Sequence, residues 1–123
     1  MMAKPRQALG RWGENLASEY LQKKGYQILD RNARTEFGEI DLVARGQEGL
    51  VFVEVKARTS KAYGEPEAAV TPAKQQHLQD AAEAYLQAHP GQDGAWRIDV
   101  IAIYRPRGRS DPDILHIENA VTG

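Results

Sequence analysis

Asp41, Glu54 and Lys56 stand where charge is least expected. Asp41 lies in Gly38-Glu39-Ile40-Asp41-Leu42-Val43, and the other two lie in Val51-Phe52-Val53-Glu54-Val55-Lys56. Both runs otherwise have the composition of core strands. Burying a carboxylate or an ammonium is costly unless it is paired, hydrogen-bonded or bound to metal. Three such groups close together, with Glu14 in the segment before them, suit a divalent-metal site for phosphodiester hydrolysis. That reaction needs an attacking water, charge compensation at the phosphoryl oxygens and help for the leaving oxygen, all of which one or two cations supply. Mg²⁺ and Mn²⁺ take oxygen ligands. Asp41 and Glu54 are therefore the expected ligands, with the carbonyl of Val55 as an additional one. Lys56 is expected to orient or deprotonate the water, or to stabilise developing negative charge; the residues alone leave these roles open.

A plainer account stands beside this one. A single acid in a strand is usually an edge or surface group, and Glu54 can pair with Lys56 on a solvated face. The apolar surroundings of all three charges favour the site.

The elements that position these residues follow from hydrophobic periodicity. Leu9, Trp12, Leu16, Ala17, Tyr20 and Leu21 fall at helical spacing and predict a helix over 8–24. Lys23 and Lys24 suit its last turn, and Gly25 suits a left-handed cap. Residues 1–7 read as a flexible basic arm, which leaves 8–123 as one domain. Tyr26 to Asp30 reads as a first strand, and Asn32 to Gly38 as a turn. A second strand over 39–45 turns Glu39, Asp41 and Val43 one way and Ile40, Leu42 and Ala44 the other. Gly46-Gln47-Glu48-Gly49 is a hairpin link to a third strand over 50–57. There Val51, Val53 and Val55 share one face, and Phe52, Glu54 and Lys56 share the other. Two antiparallel strands thus present Asp41, Glu54 and Lys56 on one side.

Arg58 to Ala69 has no clear period and reads as a loop beside the site. Thr71-Pro72 announces a second helix, with Thr as cap and Pro in the first turn. His89-Pro90-Gly91 ends it. Residues 96–104 alternate as a fourth strand, 105–112 form a basic loop, and 114–117 form a short edge strand. The order α-β-β-β-α-β-β describes an α/β fold, a mixed central sheet flanked by helices.

Composition sets limits. Cysteine is absent, which excludes disulfides and thiolate metal sites. No run is apolar for long enough to span a membrane, and no apolar stretch follows the basic residues of MMAKPRQALGRWGEN, so neither a membrane partner nor a secretory signal is expected. A cytoplasmic location fits. The net charge of −1 argues against nonspecific coating of nucleic acid. Charge is uneven: residues 1–34 carry seven basic and three acidic groups, whereas 75–123 carry four and seven. A polyanion should meet the N-terminal side.

The string GEIDLV followed by VFVEVKAR resembles the D-x(n)-E-x-K core of the restriction-endonuclease-like nucleases. With GRWGENLASEYL ahead and RIDVIAI behind, residues 8–104 resemble the UPF0102 (YraN) family, which is similar in fold to archaeal Holliday-junction resolvases. The resemblance implies a restriction-endonuclease-like fold, metal ligands at Asp41 and Glu54, a catalytic lysine at Lys56, and a Glu14 that reaches the site from the first helix. Ile98 stands where that family commonly has Phe, an apolar exchange that should leave the site intact.

Other residues carry two readings each. Glu39 shares the predicted face of Asp41, as a supporting carboxylate or as a solvated strand end. Arg58 follows Lys56 by one more two-residue step and suits a phosphate contact or a solvated end. Lys74 opposes the helix dipole and suits a phosphate contact or, equally, a surface role; Gln75 is a weaker candidate. Asp99 is expected to be structural, bonded to Arg97, a loop or the first-helix end. Arg105, Arg107 and Arg109 either touch nucleic acid or solubilise a loop. Trp12 and Trp96 read as core or sheet cover. His77, His89 and His116 lack convergent spacing for zinc.

The expected function is that of a Mg²⁺- or Mn²⁺-dependent endonuclease acting on DNA, branched or otherwise structured DNA in particular. A homodimer would supply two sites for two strands and double the local positive field. The alternative is a non-catalytic nucleic-acid-binding or protein-interaction module, with a protein partner, that keeps the nuclease frame.

Overall fold

The alternating apolar positions build one five-stranded sheet with a helix on each face. A computed structural model describes residues 5–60, 70–92, 94–106, 108 and 111–121. Its elements are α1 (Pro5–Lys23), β1 (Gln27–Thr35), β2 (Gly38–Gly46), β3 (Gly49–Arg58), α2 (Pro72–Ala88), β4 (Trp96–Tyr104) and β5 (Asp113–Ile117). The expected order and the α/β architecture are both present. Strands lie in sequence order across the sheet, so β5 is an edge. Three pairings are antiparallel, including β2 with β3, while β3 and β4 run parallel. Parallel neighbours need a crossover, and α2 supplies it.

Each helix is held by its apolar stripe. Ala17 and Leu21 of α1 pack with Leu42, Ala44, Val51, Val53, Ile101 and Ile103. Leu78, Ala81, Ala82 and Tyr85 of α2 pack on the other face with Val43, Phe52 and Ile98. Each large aliphatic side chain removed from water contributes about 2 kcal/mol. The α2 side is thus the face of Phe52, and by alternation that of Glu54 and Lys56. Lys24 and Gly25 end α1 as expected: Gly25 takes φ 95°. Its N–H donates to Gln22 O while Tyr26 N–H donates to Leu21 O, both at 3.0 Å. Thr71 caps α2, its hydroxyl accepting from Lys74 N–H at 3.2 Å.

Three expectations change. Helix α1 starts at Pro5, inside the stretch expected as an arm, and proline suits a first helical position; residues 1–4 lie outside the described residues. The polar stretch after Asp30 is strand, not turn: Arg31, Ala33, Arg34 and Thr35 pair with Leu42, Ile40, Glu39 and Gly38. β1 is an edge strand, and polar side chains on a solvated edge do not stop pairing. Ile40 joins the α2-side core with Ala33 instead of following Leu42 and Ala44. It lies beyond Leu42, where the β2–β3 ladder ends. Of the loop expected over 58–69, residues 61–69 lie outside the described residues, as do Arg107 and Arg109. Among the described residues no helix is long and apolar enough to cross a membrane.

Candidate functional site

The sheet splits where Asp41 sits. β2 and β3 pair from Gly46↔Gly49 up to Leu42↔Val53 and then part. β2 goes on pairing with β1 to Gly38, and β3 goes on pairing with β4 to Arg58. A strand that loses its neighbour leaves backbone donors to satisfy. Asp41 Oδ2 accepts the N–H of Val55 at 2.8 Å, so its carboxylate spans the split. In a strand the N–H and C=O of one residue point to the same edge, so the Val55 carbonyl lies on the Asp41 side of β3.

Asp41 is mostly buried, and burial, then the charge of Glu54, push its pKa up to about 7; Glu14 adds to the rise, while the Val55 N–H and Lys74 oppose it. A carboxyl affected by both Glu54 and Glu14 has strand β3 and helix α1 as its electrostatic neighbours. The charge of Glu14 in α1 is thus felt at Asp41 across the split. The approach depends on its neighbour in α1. A Cβ on Gly13 would stand 2.6 Å from Ala57 Cβ and 3.5 Å from Val55 Cγ1, so glycine lets α1 lie against β3. Gly13→Ala is expected to lower stability by about 1–2 kcal/mol, because overpacking outweighs the gain in helix propensity. Thermal unfolding checks this; an unchanged or raised melting temperature would refute the close-approach account.

Glu54 makes the second strong contact. Its Oε1 lies 3.1 Å from Lys74 Nζ, with side-chain exposures of 13% for Glu54 and 42% for Lys74. Lys56, two residues further along β3, is exposed. Arg58 ends the same strand and is half-buried. Glu39 is exposed outside the cluster, 3.9 Å from Arg34. Its solvated reading is the one the geometry favours. The guanidinium of Arg105, after β4, lies 4.9 Å from the Trp12 ring centroid. Arg34, Lys56, Arg58, Lys74 and Arg105 thus belong to the end of the sheet where Asp41 lies.

Metal fit rests on donor chemistry. Among the described residues no three His, Cys, Asp or Glu side chains gather to hold an ion by themselves. Asp41 and Glu54 are nevertheless hard oxygen donors whose charges interact, and the Val55 carbonyl lies on the Asp41 side of β3. A divalent cation there would restore the charged form of Asp41. The donors fit Mg²⁺ or Mn²⁺.

Comparison with known proteins gives the lineage. Residues 13–103 match the family model described as "Uncharacterised protein family UPF0102". The chain belongs to the UPF0102 family. A UPF0102 protein of Syntrophomonas wolfei subsp. wolfei is 49% identical over 112 residues, 91% of this chain and 96% of that protein. One from Anaeromyxobacter dehalogenans is 48% identical over 118 residues, covering 96% and 87%. One from Trichlorobacter lovleyi is 45% identical over 121 residues, covering 98% and 94%. The UPF0102 match spans Glu14, Asp41, Glu54, Lys56 and Lys74 and stops before His116.

A second polar cluster lies at the opposite end of the sheet, and the expected structural bond of Asp99 to Arg97 is at its centre. Asp99 is wholly buried and accepts from Arg97 Nε at 2.9 Å, Arg97 Nη2 at 3.1 Å and Asn119 N–H at 2.9 Å. His116 Nε2 lies 2.7 Å from its Oδ2. Arg97 also donates to Tyr26 Oη at 2.8 Å. Sequence reading missed His116 and Tyr26 as members of this cluster, because both are brought to it from elsewhere in the chain.

Proposed function

We propose that this UPF0102 protein is a Mg²⁺- or Mn²⁺-dependent endonuclease that hydrolyses phosphodiester bonds in DNA. The observation that carries this reading is the Asp41 carboxylate, which bridges the parting of β2 and β3 to the Val55 N–H at 2.8 Å and feels the charge of Glu54. A cation beside such a group favours its anionic form. When bound, the metal would compensate charge on the phosphoryl oxygens and activate water. Asp41, Glu54 and the Val55 carbonyl would hold it. Lys56, exposed on the same strand, would orient the water or meet charge developing on the phosphoryl group. Water oxygen would form a bond to phosphorus as the bond to the leaving sugar oxygen breaks, the water giving up a proton and the leaving oxygen taking one from solvent. Arg58, Lys74 and the other cations of this end would bind the strand backbone. Branched or otherwise structured DNA is the preferred substrate class, and a homodimer would bring two such sites to two strands.

The test is cleavage of a labelled panel (linear duplex, single strand, flap, four-way junction and RNA) with Mg²⁺ or Mn²⁺, beside Glu54→Ala. DNA cleavage that falls at least about a hundredfold in the variant is expected. Cleavage unaffected by the substitution, or none on any substrate, would refute the nuclease reading. The second reading is a non-catalytic nucleic-acid-binding module. It is favoured by one observation, the lysine already seated on Glu54 in place of a third ligating side chain. Binding without cleavage across the panel would support it.

A further inference from the structure

Lys74 is the one residue of α2 that enters the carboxylate cluster by a direct ion pair among the described residues. It stands in the first turn of the helix, where the macrodipole disfavours a cation. Its backbone N–H is already taken by the Thr71 cap, so the helix start is fixed. The side chain reaches down to Glu54 Oε1 at 3.1 Å, onto a carboxylate that is itself only 13% exposed. Glu54 thus has a cationic partner supplied by the chain. A lysine ammonium and a divalent cation compete for the same oxygen, because the carboxylate has few lone pairs to share and the two positive charges repel.

We infer that Lys74 is an internal counter-ion for Glu54 that is displaced when a divalent cation binds and is then released to a phosphate of the substrate. This deepens the nuclease reading and rests on it, in that Glu54 must be a metal ligand. The consequence is coupling. In the metal-free protein Lys74 is held on Glu54 by an ion pair, and metal loading frees a flexible cationic arm at this end of the sheet. Its four-carbon stem and partial exposure let the ammonium swing outward without moving the helix. Metal and polyanion should therefore each bind more tightly in the presence of the other, as linkage requires.

The experiment is calorimetric titration of Mn²⁺ into the wild-type protein, Lys74→Gln, Lys56→Gln and Glu54→Gln, each with its melting curve. Gln is neutral and similar in length, and it carries no penalty from the helix dipole. Lys74→Gln is expected to bind Mn²⁺ about tenfold more tightly than wild type. Lys56→Gln, which removes a cation without breaking an ion pair to Glu54, is expected to stay within about twofold. Glu54→Gln should lose most of the affinity. If Lys74→Gln and Lys56→Gln shift equally, loss of general positive charge explains the effect and the counter-ion role is overturned. If Lys74→Gln binds like wild type while Glu54→Gln does not, the lysine inference fails and the metal-site reading stands. If Glu54→Gln binds like wild type, or no protein binds, both fail.

A second readout separates release from simple competition. Affinity for a fluorescent single-stranded oligonucleotide is measured in EDTA and in Ca²⁺, a hard divalent cation with the same preference for oxygen ligands. Wild type is expected to gain severalfold in Ca²⁺, and Lys74→Gln to lose most of that gain. An equal gain in both would overturn the release step.

Discussion

Asp99→Ala is expected to lower the unfolding free energy by about 3–5 kcal/mol, the cost of leaving buried charged partners uncompensated. For a chain of this size that is a fall in melting temperature of roughly 10–20 °C. The side chain is wholly buried and ties together four parts of the fold. Arg97 belongs to its own strand, His116 to edge strand β5, and Asn119 to the turn beyond it; Arg97 carries the link on to Tyr26 after α1. Burial opposes the charge of Asp99, but the hydrogen bonds from His116, Arg97 and Asn119, with the Arg97 charge, hold its pKa below the ordinary carboxylate value. The unfolded chain takes up a proton near pH 3.9 and the folded chain only at lower pH, so the Asp99 contribution is complete above that value. It is lost as pH falls through the folded pKa. Asp99→Ala should therefore be most damaging near neutral pH and much less so at strongly acidic pH. Urea unfolding across pH checks this. A loss below about 1 kcal/mol at pH 7, the scale of a surface change, would remove Asp99 from its role as the tie of this end.

Asp41→Asn is expected to do the opposite to stability and to abolish metal response. In EDTA the folded carboxyl holds its proton up to about pH 7, whereas the unfolded one releases it near 3.8. Between these values the folded chain binds more protons, so stability falls as pH rises and the full penalty is present above pH 7. That displacement corresponds to about 4 kcal/mol at full effect. The open end of the sheet reduces it to on the order of 2–3 kcal/mol. Asparagine carries no such penalty, and its side-chain oxygen still accepts from Val55 N–H. The metal-free variant should thus be more stable than wild type at pH 8 and equal to it at pH 4. Adding Mn²⁺ should raise the melting temperature of wild type and leave Asp41→Asn unmoved. Parallel pH profiles for the two proteins would sink the desolvated-carboxyl account, and an equal response to Mn²⁺ would sink Asp41 as a ligand.

The two aspartates show what can be read from a chain and what cannot. Both interrupt apolar strands, and in the sequence they look alike. One ends in a network of donors that favours its charge, the other beside two further carboxylates that oppose it. The difference lies in partners distant along the chain. His116 is seventeen residues from Asp99, and Tyr26 is seventy-one from Arg97. Lys74 was marked by its unfavourable place in a helix, but its contact with Glu54 depends on how α2 crosses from β3 to β4.

Strand and helix periods, the caps at Gly25 and Thr71, and the two-residue step from Glu54 to Lys56 are local properties, so the chain alone determined the order of the elements and the shared face of Glu54 and Lys56. Polar edge residues misled the reading of β1, because an edge strand needs only one apolar side. The parting of β2 from β3 beyond Leu42, the Asp41 bridge to Val55 and the seating of Lys74 on Glu54 were decided only by tertiary structure. They arise where sheet twist, helix packing at Gly13 and a crossover helix meet, and no short stretch of sequence contains all three.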